Sequence, residues 1–245
     1  MPRYKATVEY LGASYAGWQK QLNAITIQEV IENAIFKFSG ETVNVFGSGR
    51  TDSGVHAYGQ VAHFDLSKQY LATEVLRAFN FYLKDTGISF IHVEIVDENF
   101  HARFSATHRH YVYKIINRKA PLAIEQHTSL WVIKTLDVAA MQIGAKCLVG
   151  SHDFSSFRSS ECLAKSATKT LTKLDIIKTG EKIEFYVSAI SFLHHMVRNI
   201  VGTLLLVGSG KIASDKIEHI LKSKSRSSAG PTAAAHGLYL LRVDY

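Results

Sequence analysis

Cysteine and long hydrophobic runs are both scarce in this sequence of 245 residues. Its two cysteines, Cys147 and Cys162, have no Cys-x-x-Cys partners, so neither a zinc site nor a disulfide framework is predicted. The longest apolar run, "IVGTLLLVG", is far too short to span a bilayer. The first residues, "MPRYKATVEY", enter an alternating strand pattern without the apolar core of a secretion signal. We therefore expect a protein of the reducing cytoplasm.

Acidic residues are also in short supply, but only in part of the chain. The formal net charge is +7, with 28 Lys+Arg against 21 Asp+Glu. Residues 1–105 carry 9 basic and 11 acidic side chains, whereas residues 106–245 carry 19 and 10. A basic half of this kind is typical of a protein that binds a polyanion, although lysines that merely keep a protein in solution would give the same count.

The apolar pattern predicts an α+β fold. With 47% hydrophobic residues the chain can build a real core. Residues 4–10 alternate as a half-buried strand does, and Thr26 with Glu29 forms a T-x-x-E capping box before an apolar helical stripe. Further helices are predicted at 73–83, 137–148, 193–207 and 214–224, and further strands at 88–96, 108–116, 167–178, 182–191 and in "VNVFGSG", "YGQVAHFDL" and "GLYLLRVDY".

This rhythm suggests two related halves, residues 1–105 and 106–245, each with an antiparallel sheet backed by helices. The Ser/Gly-rich stretch "KSKSRSSAGPTAAAHG" before the last strand is predicted to be a mobile loop.

Residues 47–57, "GSGRTDSGVHA", place a single carboxylate, Asp52, in a glycine-rich loop. A plain turn explains the glycines but not the presence of Arg50, Asp52 and His56. The pattern fits neither dinucleotide nor P-loop phosphate motif. An acid protease needs a second Asp-Ser/Thr-Gly, which the chain does not contain. A fourth interpretation is an ionised nucleophile whose charge an arginine stabilises. Local chemistry alone leaves the turn and the nucleophile open.

Aromatic and basic side chains accumulate in three later segments. In "HARFSATHRHYVYKI", Tyr111 and Tyr113 share a strand face and could be core or a platform for an unstacked base, while Arg103 and Arg109 could contact phosphates. In "SFLHHMVRNIVGTLLLVG", Arg198 stands off the apolar stripe of a predicted helix. It is either a solvated side chain or a fixed cation at a cleft.

A histidine pair and one more arginine also have alternative interpretations. The adjacent histidines 194 and 195 would point to different sides of that helix, and no carboxylate lies at ligand spacing, so no metal is predicted. Arg158, in "GSHDFSSFRSS", is either in a surface turn or in a loop that contacts phosphate.

These segments together resemble the tRNA pseudouridine synthase A family. The resemblance rests on "GRTDSGVHAYGQVAHF", "FHARFSATHRHYVYKI", "GSHDFSSFR", "FLHHMVRNIVG" and "GLYLLRVDY", in that order, and on the opening "VEYLGASYAGWQKQ". It covers essentially the whole chain. It implies two α/β halves whose antiparallel sheets join into one extended sheet, with the helices on one side and the active cleft between the halves. It also implies a homodimer without cofactor or metal that isomerises uridine to pseudouridine in the tRNA anticodon arm, at positions 38, 39 and 40.

The resemblance also implies roles for individual residues. Asp52 matches the essential aspartate that attacks the target nucleoside, and Arg198 the arginine that pairs with it. Tyr111 matches the tyrosine that stacks on the flipped base and helps to remove the C5 proton. Arg50 matches the arginine that helps to hold the flipped-out state, and Leu238 an apolar wall of the pocket. The basic residues expected to contact RNA are Arg103, Arg109 and Arg158.

Overall fold

The computed structural model describes all 245 residues, which fold into two compact units. The first consists of Met1–Thr107 together with Tyr239–Tyr245, and the second of His108–Leu238. Both combine helices with mostly antiparallel strands, which confirms the predicted α+β class. No helix is long and apolar enough to cross a membrane.

The first unit is built around strand β1. Its strands are β1 (Arg3–Tyr10), β2 (Phe46–Gly47), β3 (His56–Asp65) and β4 (Ile88–Val96), and its helices are α1 (Ile27–Ser39) and α2 (Ala72–Tyr82). β1 pairs antiparallel with β3 on one side and with β4 on the other, and β2 pairs with the end of β3. The alternation read from the sequence is confirmed, because Tyr4, Ala6 and Val8 are fully buried while the residues between them are less so.

Helix α2 buries Phe79 among aromatic rings of the sheet. The ring centroid of Phe79 lies 5.5 Å from that of Phe64 on β3 and 5.1 Å from that of Phe90 on β4. Helix α1 adds Ile27, Ile31 and Ile35, which form the apolar stripe predicted from the sequence. Burial of a large apolar side chain contributes roughly 1.5–3 kcal/mol, so these stripes hold the helices on the sheet.

The second unit is centred on strand β9. Its strands are β5 (His108–Asn117), β6 (Leu130–Val132), β7 (Gly150–Asp153), β8 (Thr168–Thr179) and β9 (Lys182–Ala189). β9 pairs antiparallel with β5 and β8, β7 pairs antiparallel with β8, and β6 runs parallel to β5. Its helices are α3 (Val138–Lys146), α4 (Met196–Gly208) and α5 (Lys216–Ser223), of which α3 packs on both α4 and β8.

The last strand, β10 (Leu238–Asp244), returns to the first unit. It runs parallel to β3 and pairs Tyr239 with His56 and Leu240 with Ala57. The sequence placed this strand in the second half because the chain leads into it from there. Pairing between residues so far apart in sequence leaves no local mark on either strand.

Helix α4 starts later than predicted. It begins at Met196, not near residue 193, because His195 has a φ of 62° and therefore lies in the left-handed region. His194 and His195 consequently precede the helix, so the prediction that they point to different sides of it does not apply. Their ring centroids lie 3.9 Å apart.

The segment predicted to be a mobile loop is held by hydrogen bonds. Arg226 donates to the carbonyl of Gly230 at 2.9 Å and to Asn199 Oδ1 at 3.1 Å. Gly230 N donates to Thr203 Oγ1 at 2.9 Å. Gly202 of α4 has no room for a side chain, because a Cβ there would lie 1.8 Å from the carbonyl oxygen of Pro231. Residues 226–231 are therefore packed against α4.

Candidate active site

Asp52 opens a tight turn between β2 and β3. Its carbonyl oxygen accepts a hydrogen bond from Val55 N at 3.1 Å, and Gly54 has a φ of 78°. A positive φ at the third position alone defines a type II turn, which requires glycine there. The Asp52 side chain is half-buried. The turn interpretation is therefore correct for the backbone.

The segment 12–18 supports this turn from behind. Trp18 N donates to the carbonyl of Thr51 at 3.1 Å, and Ser53 Oγ donates to the carbonyl of Tyr15 at 3.1 Å. Gly17, with a φ of 93°, approaches so closely that a Cβ there would lie 2.6 Å from the Thr51 carbonyl oxygen. The opening "LGASYAGWQ" therefore forms one wall of the Asp52 loop.

Buried polar side chains fix the loop from its other side. Gln60, on β3 and fully buried, donates through Nε2 to the carbonyl of Gly49 at 2.9 Å and accepts from Ser48 Oγ at 2.6 Å. The hydroxyls of Thr51 and Tyr10 lie 2.8 Å apart. Buried polar groups are costly unless they are paired, so this network gives the loop one preferred conformation.

Arg50 lies exposed beside this fixed loop. Its Nε donates to Gln19 Oε1 at 3.2 Å. Arg103, the other arginine of the first unit that the sequence selected, is also exposed, and its guanidinium lies 5.6 Å from the centroid of the Phe104 ring. Asp52, Arg50 and Arg103 thus all belong to the first unit, whereas the remaining candidates belong to the second.

Tyr111 and Tyr113 share a face of β5 but have different environments. Tyr113 is fully buried, and its hydroxyl donates to the carbonyl of Ala234 at 2.8 Å. Burial raises the pKa of Tyr113, and the positive charge of Arg198 opposes that rise in part. Tyr111 is half-buried and meets the ring of Phe192 edge to face, with centroids 5.1 Å apart. Tyr113 is therefore a core residue, whereas Tyr111 keeps part of its surface exposed.

Arg198 lies in the first turn of α4 and is tied to the segment before β10. Its Nε donates to the carbonyl of Ala233 at 2.8 Å, and its own carbonyl accepts from Ala233 N at 3.1 Å. The pKa of His236 is lowered, first by burial, then by the charge of His127, and to a smaller extent by the charge of Arg198. Arg198 is thus a cation held by backbone and is not the solvated side chain that the sequence left as an alternative.

The other candidates of the second unit are each anchored locally. Arg109 Nη1 donates to the carbonyl of Ile190 at 2.6 Å, and Arg158 Nη2 donates to the carbonyl of Cys162. Leu238 is buried and directly follows Gly237, where a Cβ would lie 2.7 Å from the Tyr113 ring.

Two residues near the site were not predicted from the sequence. Phe192 precedes α4 and packs on Tyr111. Gln19, which lies between β1 and α1, contacts Arg50. No sequence signal marked it, because the burial of Gln28 and Glu32 on α1, which makes these polar side chains need partners, is known only from the structure.

The comparison with known proteins adds the chemistry. Residues 6–105 and 145–245 match the model of the tRNA pseudouridine synthase family. The chain belongs to this family. It is therefore an isomerase that forms pseudouridine in tRNA. The matched ranges contain Asp52, Arg50 and Arg198, whereas Tyr111 lies outside them.

Full-length relatives agree with the family match. The chain is 50% identical over 245 residues to the tRNA pseudouridine synthase A of Paramagnetospirillum magneticum, covering 100% of this chain and 96% of that relative. Its identity to the tRNA pseudouridine synthase A of Rhodospirillum rubrum is also 50%, covering 88% of that relative. A solved chain of a Cbf5-Nop10-Gar1 complex is a distant neighbour, with a TM-score of 0.37 and 14% identity over 94% of this chain and 62% of that chain.

Proposed function

We propose that the enzyme isomerises uridine in the anticodon stem-loop of tRNA, at positions 38, 39 and 40, with Asp52 as the nucleophile. The observation that carries the proposal is the Asp52 turn, a carboxylate on a glycine turn fixed on both sides and placed within a range that matches the family. Such rigidity suits a nucleophile, because a reacting group must hold its geometry while the substrate rearranges.

The reaction exchanges one bond to the sugar for another. After attack by Asp52, the bond between N1 of uracil and C1′ of ribose breaks and the base turns over. A bond between C5 and C1′ then forms, and the bond between Asp52 and the nucleoside breaks, which regenerates the carboxylate. C5 loses its proton, and N1 gains one. No oxidant or reductant is needed, since the product is an isomer of the substrate. We assign Tyr111 to removal of the C5 proton and Arg198 to balancing the charge of Asp52.

The target uridine must leave its stack before Asp52 can reach it. Extrusion costs a few kcal/mol. Stacking of a base on an aromatic ring is worth about 1–3 kcal/mol. The half-buried Tyr111 ring, held edge to face by Phe192, is the side chain to which we assign that stacking. We assign Arg50 to holding the flipped-out state.

The remaining contacts extend the proposal from chemistry to binding. We assign Leu238 to the apolar wall of the uracil pocket, and Arg103, Arg109 and Arg158 to phosphates. We also propose that the enzyme acts in the cytoplasm as a homodimer and uses no metal or cofactor, as the family resemblance implies. Light scattering of the purified protein checks the oligomeric state, and activity after treatment with a chelator checks the metal.

Pseudouridine mapping in a strain that lacks the gene tests the substrate. We expect the signals at positions 38, 39 and 40 to vanish and to return when wild-type protein is supplied. Asp175→Asn, a change at an exposed carboxylate paired with Lys173, should restore them as well, whereas Asp52→Asn should not. Persistence of all three signals in the deletion strain would refute the substrate assignment, and so would loss of pseudouridine from ribosomal RNA with the anticodon arm intact.

A further inference from the structure

Two glutamines connect Arg50 to a buried carboxylate. Arg50 Nε donates to Gln19 Oε1 at 3.2 Å, and Gln19 Nε2 donates to Gln28 Oε1 at 2.9 Å. Gln28 Nε2 then donates to Glu32 Oε1 at 2.8 Å. All four residues belong to the first unit. The chain of bonds runs from an exposed guanidinium to Gln28 and Glu32 on helix α1, which are 8% and 9% exposed.

The chemistry at both ends fixes the orientation of each amide. The backbone N–H of Lys20, which can only donate, points to Gln28 Oε1 at 3.1 Å, while the Glu32 carboxylate accepts at the other end. Gln28 can therefore not flip. Because its oxygen faces Gln19, Gln19 must present its NH₂ group there and its own oxygen to Arg50. The acceptor that Arg50 needs is thus set by residues deep in the unit.

The root of this chain is firmly held. Glu32 also accepts from Val45 N at 3.2 Å and pairs with Lys20 Nζ at 3.1 Å. The first turn of α1 is tied to the same segment, since Gln28 N donates to the carbonyl of Trp18 at 3.0 Å. The hydrogen-bonded series Arg50–Gln19–Gln28–Glu32, called the relay below, therefore ends on a helix packed in the core.

We propose that Gln19 is a positioning residue, which holds the Arg50 guanidinium in the orientation that the RNA substrate requires. This inference rests on the proposed function, in which Arg50 contacts the RNA. An arginine side chain has many rotamers, and fixing them before the substrate arrives reduces the entropy lost on binding. Using Nε for Gln19 reserves the two terminal nitrogens of Arg50 for RNA, where the planar fork of arginine suits phosphate or a base edge.

The test is a double-mutant cycle between Gln19 and Arg50, read as the single-turnover rate on tRNA. Gln19→Met keeps the side-chain length and removes both hydrogen bonds, while Gln28 Oε1 keeps the bond from Lys20 N. We expect a roughly tenfold loss of rate in the wild-type background, and little further loss in an Arg50→Met background. Gln19→Glu, which still offers an oxygen to Arg50, should retain more of the rate than Gln19→Met. Gln69→Met, at an exposed glutamine of the same unit, is the matched control and should leave the rate unchanged.

A second readout does not depend on catalysis. The NMR signal of Arg50 Nε–H should exchange slowly with water in the wild type and in Gln69→Met, and rapidly in Gln19→Met. The positioning role is overturned if this signal is unaffected by Gln19→Met, or if Gln19→Met lowers the rate by the same factor in both backgrounds. If the signal behaves as expected but no pseudouridine forms at positions 38, 39 and 40, the orienting contact stands and the proposed substrate fails.

Discussion

Single residues in this enzyme are fixed by partners far away in the sequence. Asp52 is supported by a segment that ends at Trp18, and Arg50 by a relay that ends at Glu32. Residue types marked Asp52 and Arg50 as candidates, because an arginine and a carboxylate in a glycine loop exceed what a turn needs. The residues that position them could not be read from the sequence. Gln19 and Gln60 have no reactive group, and only their hydrogen bonds in the folded structure show that they position the loop and Arg50.

His63 should make stability depend on pH. It is buried on β3, where Nδ1 accepts from Ala102 N at 3.1 Å, and burial, followed by the charges of His101 and Arg3, lowers its pKa from 6.5 to about 4. Between these values the unfolded chain binds a proton that the folded protein excludes, so stability falls as the pH drops from about 6.5 toward 4. Urea unfolding at a series of pH values measures this dependence.

A variant assigns the effect to His63. His63→Gln loses the ring but can still accept from Ala102 N, so it should be less stable than the wild type at neutral pH. The difference should narrow as the pH falls, because only the wild type has this proton to exclude. For His92→Gln, at an exposed histidine, the free energy of unfolding should differ from that of the wild type by the same amount at every pH. A His63→Gln difference that remains constant from pH 7.5 to 5 would contradict the account.

Secondary-structure elements have the bounds predicted from the sequence where the hydrophobic period and the capping residues indicate the same ends. Strand β4 (Ile88–Val96) has its predicted ends, and α1 follows Thr26, whose side chain accepts from Glu29 N at 3.4 Å. The predicted start of α4 was wrong. The apolar pattern begins before Met196, but the left-handed backbone at His195 keeps the preceding residues out of the helix. The Ser/Gly-rich segment was also misread, since composition does not distinguish a mobile loop from one packed against a helix.

A cap comparison tests an element directly. Asp137 accepts from Ala140 N at 2.9 Å at the start of α3, whereas Asp215, at the start of α5, makes no such side-chain bond. Asp137→Ala should therefore lower the free energy of unfolding by about 1 kcal/mol. Asp215→Ala should lower it far less. Equal losses in chemical denaturation would show that the cap bond of α3 is not what stabilises it.

The whole molecule combines a slightly acidic N-terminal part with a strongly basic remainder. The charge division is read directly from the sequence, and the predicted α+β class is confirmed. The return of β10 to pair with β3 was not predicted. The positive excess of residues 106–245 suits a tRNA substrate, whose backbone a protein can bind by charge and shape.

Binding of tRNA should consequently weaken with salt. Neutralised phosphates release counterions, so the logarithm of the affinity should fall linearly with the logarithm of the salt concentration. Replacing one of the arginines that we propose to contact phosphate, for instance by Arg158→Gln, should lower the slope by roughly one. Filter binding at several salt concentrations measures the slope, and Lys178→Gln at an exposed strand position serves as a comparison. An affinity independent of salt would argue against charge-led binding.

Release of tritium from tRNA labelled at C5 of uridine tests the central claim, that Asp52 is the nucleophile of this isomerase. Pseudouridine formation replaces the C5 proton, so each turnover releases one label to water. The account predicts rapid release by the wild type and by Asp175→Asn, and none above background by Asp52→Asn at equal tRNA binding. Release by Asp52→Asn at a rate close to that of the wild type would contradict it.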